Sequence, residues 1–201
     1  MHLVTIGKPN VGKTLLLINL AAYLGLSEVR LEMPDGEGGQ QVKRLSLDRA
    51  RRDLMSWSAP RTRAIQTAII ETLVGRQRIR LVAIDTPGIH EGIASHPDQR
   101  HLVALTLEWL IRAPMIVHVV DVSAVGSQRP EAPGPLDLAL AQYGQRLPGY
   151  IVVANKMDKL GSLEGLRAIR DAYHEVPILP VSCITRRGFR DLKQWMLHMV
   201  T

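Results

Sequence analysis

Short apolar runs alternate along this chain with longer segments of helical period, the signature of strand-helix repeats wound around a mostly parallel sheet. Five runs read as buried strands, at residues 3–7, 79–85, 115–121, 150–155 and 177–181, rich in β-branched residues and running out into polar residues or glycine. A sixth, residues 67–74, fits a strand or a helix, and the turn Gly75-Arg76-Gln77 behind it points to a hairpin into the next strand. Helical patterns cover residues 13–24, 97–111, 135–146, 162–173 and 187–199, with Ser162 ahead of Leu163-Glu164 and Pro135 behind a glycine as start signals. The segment 27–60 interrupts the alternation. Gly36, Gly38 and Gly39 loosen its first half, and residues 43–57 are Arg-rich with helical character after Ser46, so it reads as an inserted loop, not a domain. The expected architecture is a Rossmann-like α/β fold, a mostly parallel sheet of about six strands flanked by helices.

At 201 residues, with 46% hydrophobic and 22% charged residues, the chain suits one domain over 1–201 and leaves no room for a second of ordinary size. No stretch approaches the roughly 20 apolar residues needed to span a bilayer. The start Met1-His2-Leu3-Val4 enters a strand-like run without a charged leader, so the expected location is the cytoplasm. The single cysteine, Cys183, excludes an internal disulfide and a thiolate metal site. A net charge of +6 favours an anionic partner such as RNA, a ribosome or an acidic lipid surface, without choosing among them.

Four short motifs carry the chemistry. Gly7-Lys8-Pro9-Asn10-Val11-Gly12-Lys13-Thr14 leads from the first strand into the first helix. It fits the phosphate-binding template: glycines let backbone N–H groups curl around a β-phosphate, and the helix N-terminus adds its positive dipole end. Lys13 bridges the β- and γ-phosphates, and the Thr14 hydroxyl is placed for magnesium. Asp85-Thr86-Pro87-Gly88 ends a strongly apolar strand. There Asp85 sits opposite Thr14 and holds magnesium through water, while Gly88 frees a backbone N–H for the γ-phosphate. Asn155-Lys156-Met157-Asp158 selects the base. The Asp158 carboxylate accepts from both N1–H and the 2-amino group of guanine, whereas adenine offers it an acceptor at N1. Asn155 ties this loop to the first motif, and the Lys156 stem covers the base. In Val181-Ser182-Cys183-Ile184-Thr185, the Cys183 amide is placed for the guanine O6. Thr14 to Asp85 spans 71 residues, Asp85 to Asn155 spans 70 and Asn155 to Ser182 spans 27, so the last three motifs each close a strand on the same sheet edge.

With these residues in place, the chain resembles the G domain of the translation-factor-class (TRAFAC) GTPases, their Era-like branch in particular, over nearly its whole length. The resemblance implies GTP and GDP as ligands, Mg2+, and a nucleotide-dependent switch. It implies nucleotide contacts at Asn10, Val11, Gly12, Lys13, Thr14, Leu15, Asp85, Gly88, Asn155, Lys156, Asp158, Ser182, Cys183 and Ile184. It also implies a first-switch threonine that joins Thr14 and Asp85 on the metal in the GTP state. Thr62, in Pro60-Arg61-Thr62-Arg63, is favoured over Thr67, which lies in a strand-like run. Era-like proteins usually continue into a KH domain, and this chain ends at Thr201 after its last helical segment, so ribosomal RNA binding does not carry over.

Hydrolysis is less clearly marked. Where many related GTPases orient the attacking water with glutamine, this chain has Ile89, which cannot hydrogen-bond. In the Era-like branch, the asparagine matching Asn10 helps hold a potassium ion that replaces an arginine finger, so the catalytic set is read as Asn10, Lys13, Thr62 and Gly88. His90 is read as a solvent-facing switch residue and not a general base, and the histidines at 96, 101 and 118 as structural. The basic segment Lys43–Arg63 fits an RNA phosphate contact as well as a solvated amphipathic stretch packing Leu45, Leu47, Leu54 and Trp57 on the sheet. A second copy of the chain, paired in the GTP state, is a further candidate partner. Two functions therefore stand: an enzyme turning GTP into GDP and phosphate, or a nucleotide-gated binding module with negligible turnover of its own.

Overall fold

The computed structural model describes residues 1–34, 40–55, 66–74, 77–89 and 97–199. The chain runs β1 (His2–Ile6), α1 (Lys13–Tyr23), β2 (Glu28–Pro34), β3 (Gln40–Ser46), α2 (Leu47–Met55), β4 (Gln66–Val74), β5 (Gln77–Asp85) and α3 (Pro97–Arg112). It continues with β6 (Met115–Asp121), a 3-10 turn (Val122–Ala124), α4 (Pro135–Gly144), β7 (Tyr150–Asn155), α5 (Ser162–Ala172), β8 (Ile178–Pro180) and α6 (Phe189–His198). One sheet holds all the described strands in the order β3-β2-β4-β5-β1-β6-β7-β8.

The two halves of that sheet differ. From β5 across β1, β6 and β7 to β8 every pairing is parallel, whereas β5-β4, β4-β2 and β2-β3 are antiparallel. The parallel strands are buried on both faces, so they read as unbroken apolar runs. Along β6, Met115, Val117 and Val119 face one core and Ile116 and Val120 the other. α1, α2 and α6 cover the first face through Leu16, Leu20, Leu47, Ala50, Phe189 and Leu192. α3, α4 and α5 cover the second through Leu110, Leu140, Leu166 and Ile169. Full burial of each such large aliphatic side chain contributes about 2 kcal/mol.

Among the described residues eight strands, and not about six, make up the sheet. The additional pair comes from the segment read as an inserted loop, where β2 and β3 form an antiparallel hairpin that widens the sheet beyond β4. Val29 and Leu45 sit directly opposite one another on the covered face, and Arg30 and Arg44 sit opposite one another on the exposed face. That alternation hides the strands among charges. The helix expected after Ser46 forms as α2, and residues 67–74 belong to strand β4, hairpinned onto β5 as the following turn suggested. Ser162 is the first helical residue of α5 and not its cap, and its Oγ donates to the Met157 carbonyl at 3.2 Å. Pro135 does open α4 behind Gly134, whose amide donates to the Asp137 carboxylate at 3.1 Å.

A buried polar chain anchors the first loop to the second face. Lys8 donates to the Ala132 carbonyl at 2.6 Å and lies 3.6 Å from Asp137, whose other oxygen is 3.0 Å from His118 Nε2. His118 Nδ1 in turn sits 2.7 Å from the Tyr150 hydroxyl. His118 is thus structural, as read. Burial works to raise the Asp137 carboxyl pKa, but the hydrogen bond and charge of His118, the Gly134 amide and Lys8 hold it below its ordinary value. The stabilisation from this lowered pKa is present above the ordinary carboxylate pKa and is lost as pH falls through the lowered one. Asp137→Ala removes the carboxylate between two buried cations or donors, and urea unfolding should show a loss of about 3–5 kcal/mol. An unchanged midpoint and slope would rule out that role.

Candidate functional site

β1, β5, β7 and β8 deliver the four motifs to one edge of the sheet, because parallel strands of a right-handed α/β fold all end on the same side. Gly7 to Gly12 turn from β1 into α1, with Asn10 in the left-handed region at φ 61°. Asparagine tolerates that conformation better than other side chains, so Asn10 shapes the turn. Gly12 holds φ 102° at the head of α1, and a Cβ there would come within 2.5 Å of Asn155 Nδ2. The first and third motifs therefore touch only because position 12 lacks a side chain.

Lys13 is buried and donates to the carbonyls of Gly7 at 3.1 Å and Lys8 at 2.8 Å, so its ammonium curls back over the loop. Burial pulls its pKa down to about 8, against the opposing pull of Asp85 and Asp137. The Thr14 hydroxyl donates to Asp85 Oδ2 at 2.5 Å, and Thr5 donates to Asp85 Oδ1 at 3.3 Å. Burial raises the Asp85 pKa, opposed by Thr14, Lys13 and Thr5. A buried carboxylate beside a hydroxyl is a hard-oxygen donor pair suited to Mg2+, and a cation there would offset the cost of burying the charge. Among the described residues no cluster of three His, Cys, Asp or Glu offers another metal site. Asp85→Asn should leave the free protein folded, with a melting temperature no lower than wild type. It should also reduce the gain in nucleotide affinity on adding magnesium from about a hundredfold to under tenfold, read by titration with and without chelator. Full retention of the magnesium gain would remove Asp85 from the metal site.

The second motif packs directly on the first. A Cβ at Gly88 would fall 2.4 Å from the Pro9 nitrogen, and the Ile89 amide donates to the Gly7 carbonyl at 3.2 Å. Ile89 is itself buried. Thr62 and His90 lie outside the described residues, as do Arg61 and Arg63. Thr67 sits in β4 opposite Ile84, the residue before Asp85, so it is a strand residue as read.

Asn155 joins three motifs. Its Nδ2 donates to the Val11 carbonyl at 2.8 Å, and its Oδ1 accepts from the Cys183 amide at 3.1 Å. The Cys183 amide, expected to face a guanine O6, is therefore engaged inside the protein, and the neighbouring Ile184 and Thr185 are exposed. The Cys183 thiol is buried against the first loop and pushed up to about 12 by burial, so it stays neutral. Val11 is buried in the core under the loop, and Leu15 is partly buried against the same core. Asp158 is exposed and oriented by Ser182, whose hydroxyl donates to Asp158 Oδ1 at 2.6 Å. Lys156, at φ 69°, extends its ammonium to Asp121 Oδ2 at 2.7 Å. Asp121 escaped the sequence reading although it ends an apolar strand at the same edge, the signal that marked Asp85 and Asn155. Lys8, Asn19 and Arg51 carried no comparable signal.

No protein-family model matches the chain. Its sequence is similar to GTPase Obg of Bacillus velezensis, 35% identical over 133 residues, and of Anoxybacillus flavithermus, 36% identical over 128 residues. Each alignment covers 62% of this chain and 28% of the relative, so the chain spans well under two thirds of the curated relatives it matches. In structure it is similar to Era in complex with MgGDPNP and nucleotides 1506–1542 of 16S ribosomal RNA, with a TM-score of 0.63 and 23% identity, covering 98% of this chain and 56% of that one. Aquifex aeolicus Era bound to GDP.AlF4- gives a TM-score of 0.62 at 21% identity over the same shares. The G domain of the Thermotoga maritima FeoB iron transporter gives 0.59 at 16%, covering 100% of this chain and 99% of that one. Taken with four motifs converging in order on one sheet edge, these likenesses show that the chain has the fold of small GTPase G domains and a sequence similar to part of GTPase Obg.

Proposed function

We propose that this chain binds guanine nucleotide with magnesium and hydrolyses GTP to GDP and phosphate as a slow molecular switch in the cytoplasm. We take residues 1–201 as one G domain that includes the 27–60 segment. The observation that carries the reading is the double engagement of Asn155, which couples the loop suited to phosphates with the loops suited to a purine. Lys13 holds the β- and γ-phosphates, and the loop amides from Asn10 to Leu15 surround the β-phosphate. Thr14 and Asp85, with Thr62 from the first switch, hold the metal. When bound there, magnesium neutralises charge on the phosphate oxygens. Gly88 supplies its amide to the γ-phosphate, which requires the contact of its loop with Pro9 and Gly7 to open. Asp158 selects guanine, and Lys156 and Ile184 border the base.

Because Ile89 cannot orient water, help must come from elsewhere, and we assign part of it to a potassium ion held by Asn10. Turnover in potassium should exceed turnover in sodium by about tenfold or more, and Asn10→Ala should remove the difference. Equal rates in the two salts would exclude it. The basic segment supports RNA as a partner: Lys43 and Arg44 on β3 and Arg49 and Arg52 on α2 are exposed, and one structurally similar Era carries ribosomal RNA. A single-turnover assay on purified protein tests the enzymatic reading. Phosphate release within minutes supports hydrolysis, and none over hours favours a gated binding module.

A further inference from the structure

The arginines of the basic segment do not all face solvent. Arg51, in α2, turns inward, and its Nε donates to Asn19 Oδ1 of α1 at 2.8 Å. Asn19 is buried, and its Nδ2 donates to the Cys183 carbonyl at 2.7 Å. Asn155 holds the amide of the same residue, so the Cys183 backbone is pinned on both sides. The result is an unbroken line of hydrogen bonds from the segment helix through α1 to the loop beside Asp158, and on to the Val11 carbonyl of the first loop. One terminal nitrogen of Arg51 is buried without a hydrogen bond among the described residues, an arrangement that an arginine placed only for a surface contact would avoid. Leu47 and Ala50, both buried, seat the helix so that this reach is fixed.

We infer that Arg51 and Asn19 are positioning residues for guanine recognition, through which the 27–60 segment sets the place of the loop carrying Ser182 and Cys183. This rests on the proposed nucleotide function and deepens it. Ser182 orients Asp158, so a displaced loop misaims the carboxylate that reads the base, while the phosphate cradle, built from β1 and α1, keeps its shape. Losing the link should therefore weaken binding of the base and spare the phosphates.

The test compares GDP, ADP and inorganic pyrophosphate, each with magnesium, on the whole chain. Arg51→Ala should speed GDP release about tenfold and narrow the preference for GDP over ADP, while pyrophosphate affinity changes less than twofold. Asn19→Asp, which still accepts from Arg51 but cannot donate to the Cys183 carbonyl, should give the same pattern. Melting temperatures identify any variant that fails to fold, and Arg51, 22% exposed, is the milder change. Equal loss for GDP and pyrophosphate, or unchanged GDP release in folded Arg51→Ala, would overturn the inference alone. Wild-type protein with no preference for GDP over ADP would overturn the proposed function as well.

Discussion

Replacing Asp158 with asparagine is expected to lower GDP and GTP affinity by about a thousandfold while leaving pyrophosphate binding within a few-fold of wild type. The size follows from geometry. A carboxylate that accepts from two donors on one base edge becomes an amide that offers one acceptor and one unwanted donor, and sites built on such pairs discriminate by several orders of magnitude. Ser182 holds one Asp158 oxygen at 2.6 Å, so the carboxylate is aimed before any base arrives. A base with a carbonyl where guanine has its 2-amino group should suit the asparagine, so xanthosine diphosphate should bind the variant better than GDP does. Competition binding with the four ligands reads the outcome. Unaltered GDP affinity in Asp158→Asn would mean that another group chooses the base.

The second large effect belongs to Lys13. Lys13→Ala should reduce affinity for GTP and for inorganic triphosphate by roughly a hundredfold, because a charge-assisted contact to two phosphates is lost in a buried setting. The fold should survive, since among the described residues the lysine donates only to loop carbonyls. The buried ammonium also predicts a pH profile. In the free protein Lys13 titrates near 8, and bound phosphate must raise that value, so binding takes up a proton at higher pH. Affinity for triphosphate is therefore full below about 8 and falls as pH rises through it. Triphosphate is the probe of choice because it has no base to titrate. Lys13→Ala should lose the slope along with the affinity, and a flat wild-type profile would place the ammonium outside the phosphate site.

The parts of the molecule legible in the sequence share one property: their determinants are contiguous. Asp85, Asn155 and Ser182 follow runs of apolar residues that can only be buried strands, so their placement on one edge follows from local pattern plus fold handedness. The glycines of the first motif act through their own backbone angles. Strands Glu28–Pro34 and Gln40–Ser46 were lost because Val29 and Leu45 alternate with the exposed Arg30 and Arg44, leaving no apolar run. Lys8, which pairs with Asp137 far along the chain, and Arg51, which reaches Asn19 across two helices, act through tertiary partners that no local pattern encodes. The same holds for the Cys183 amide, whose bond to Asn155 depends on how two strand ends meet.

Calorimetric titration of the purified chain with GDP, GTP and ATP in magnesium tests the central claim most directly. Tight binding of GDP and GTP, undisturbed by excess ATP and weakened by chelator, is the expected result. Absence of heat with either guanine nucleotide, or competition by ATP on equal terms, would contradict it.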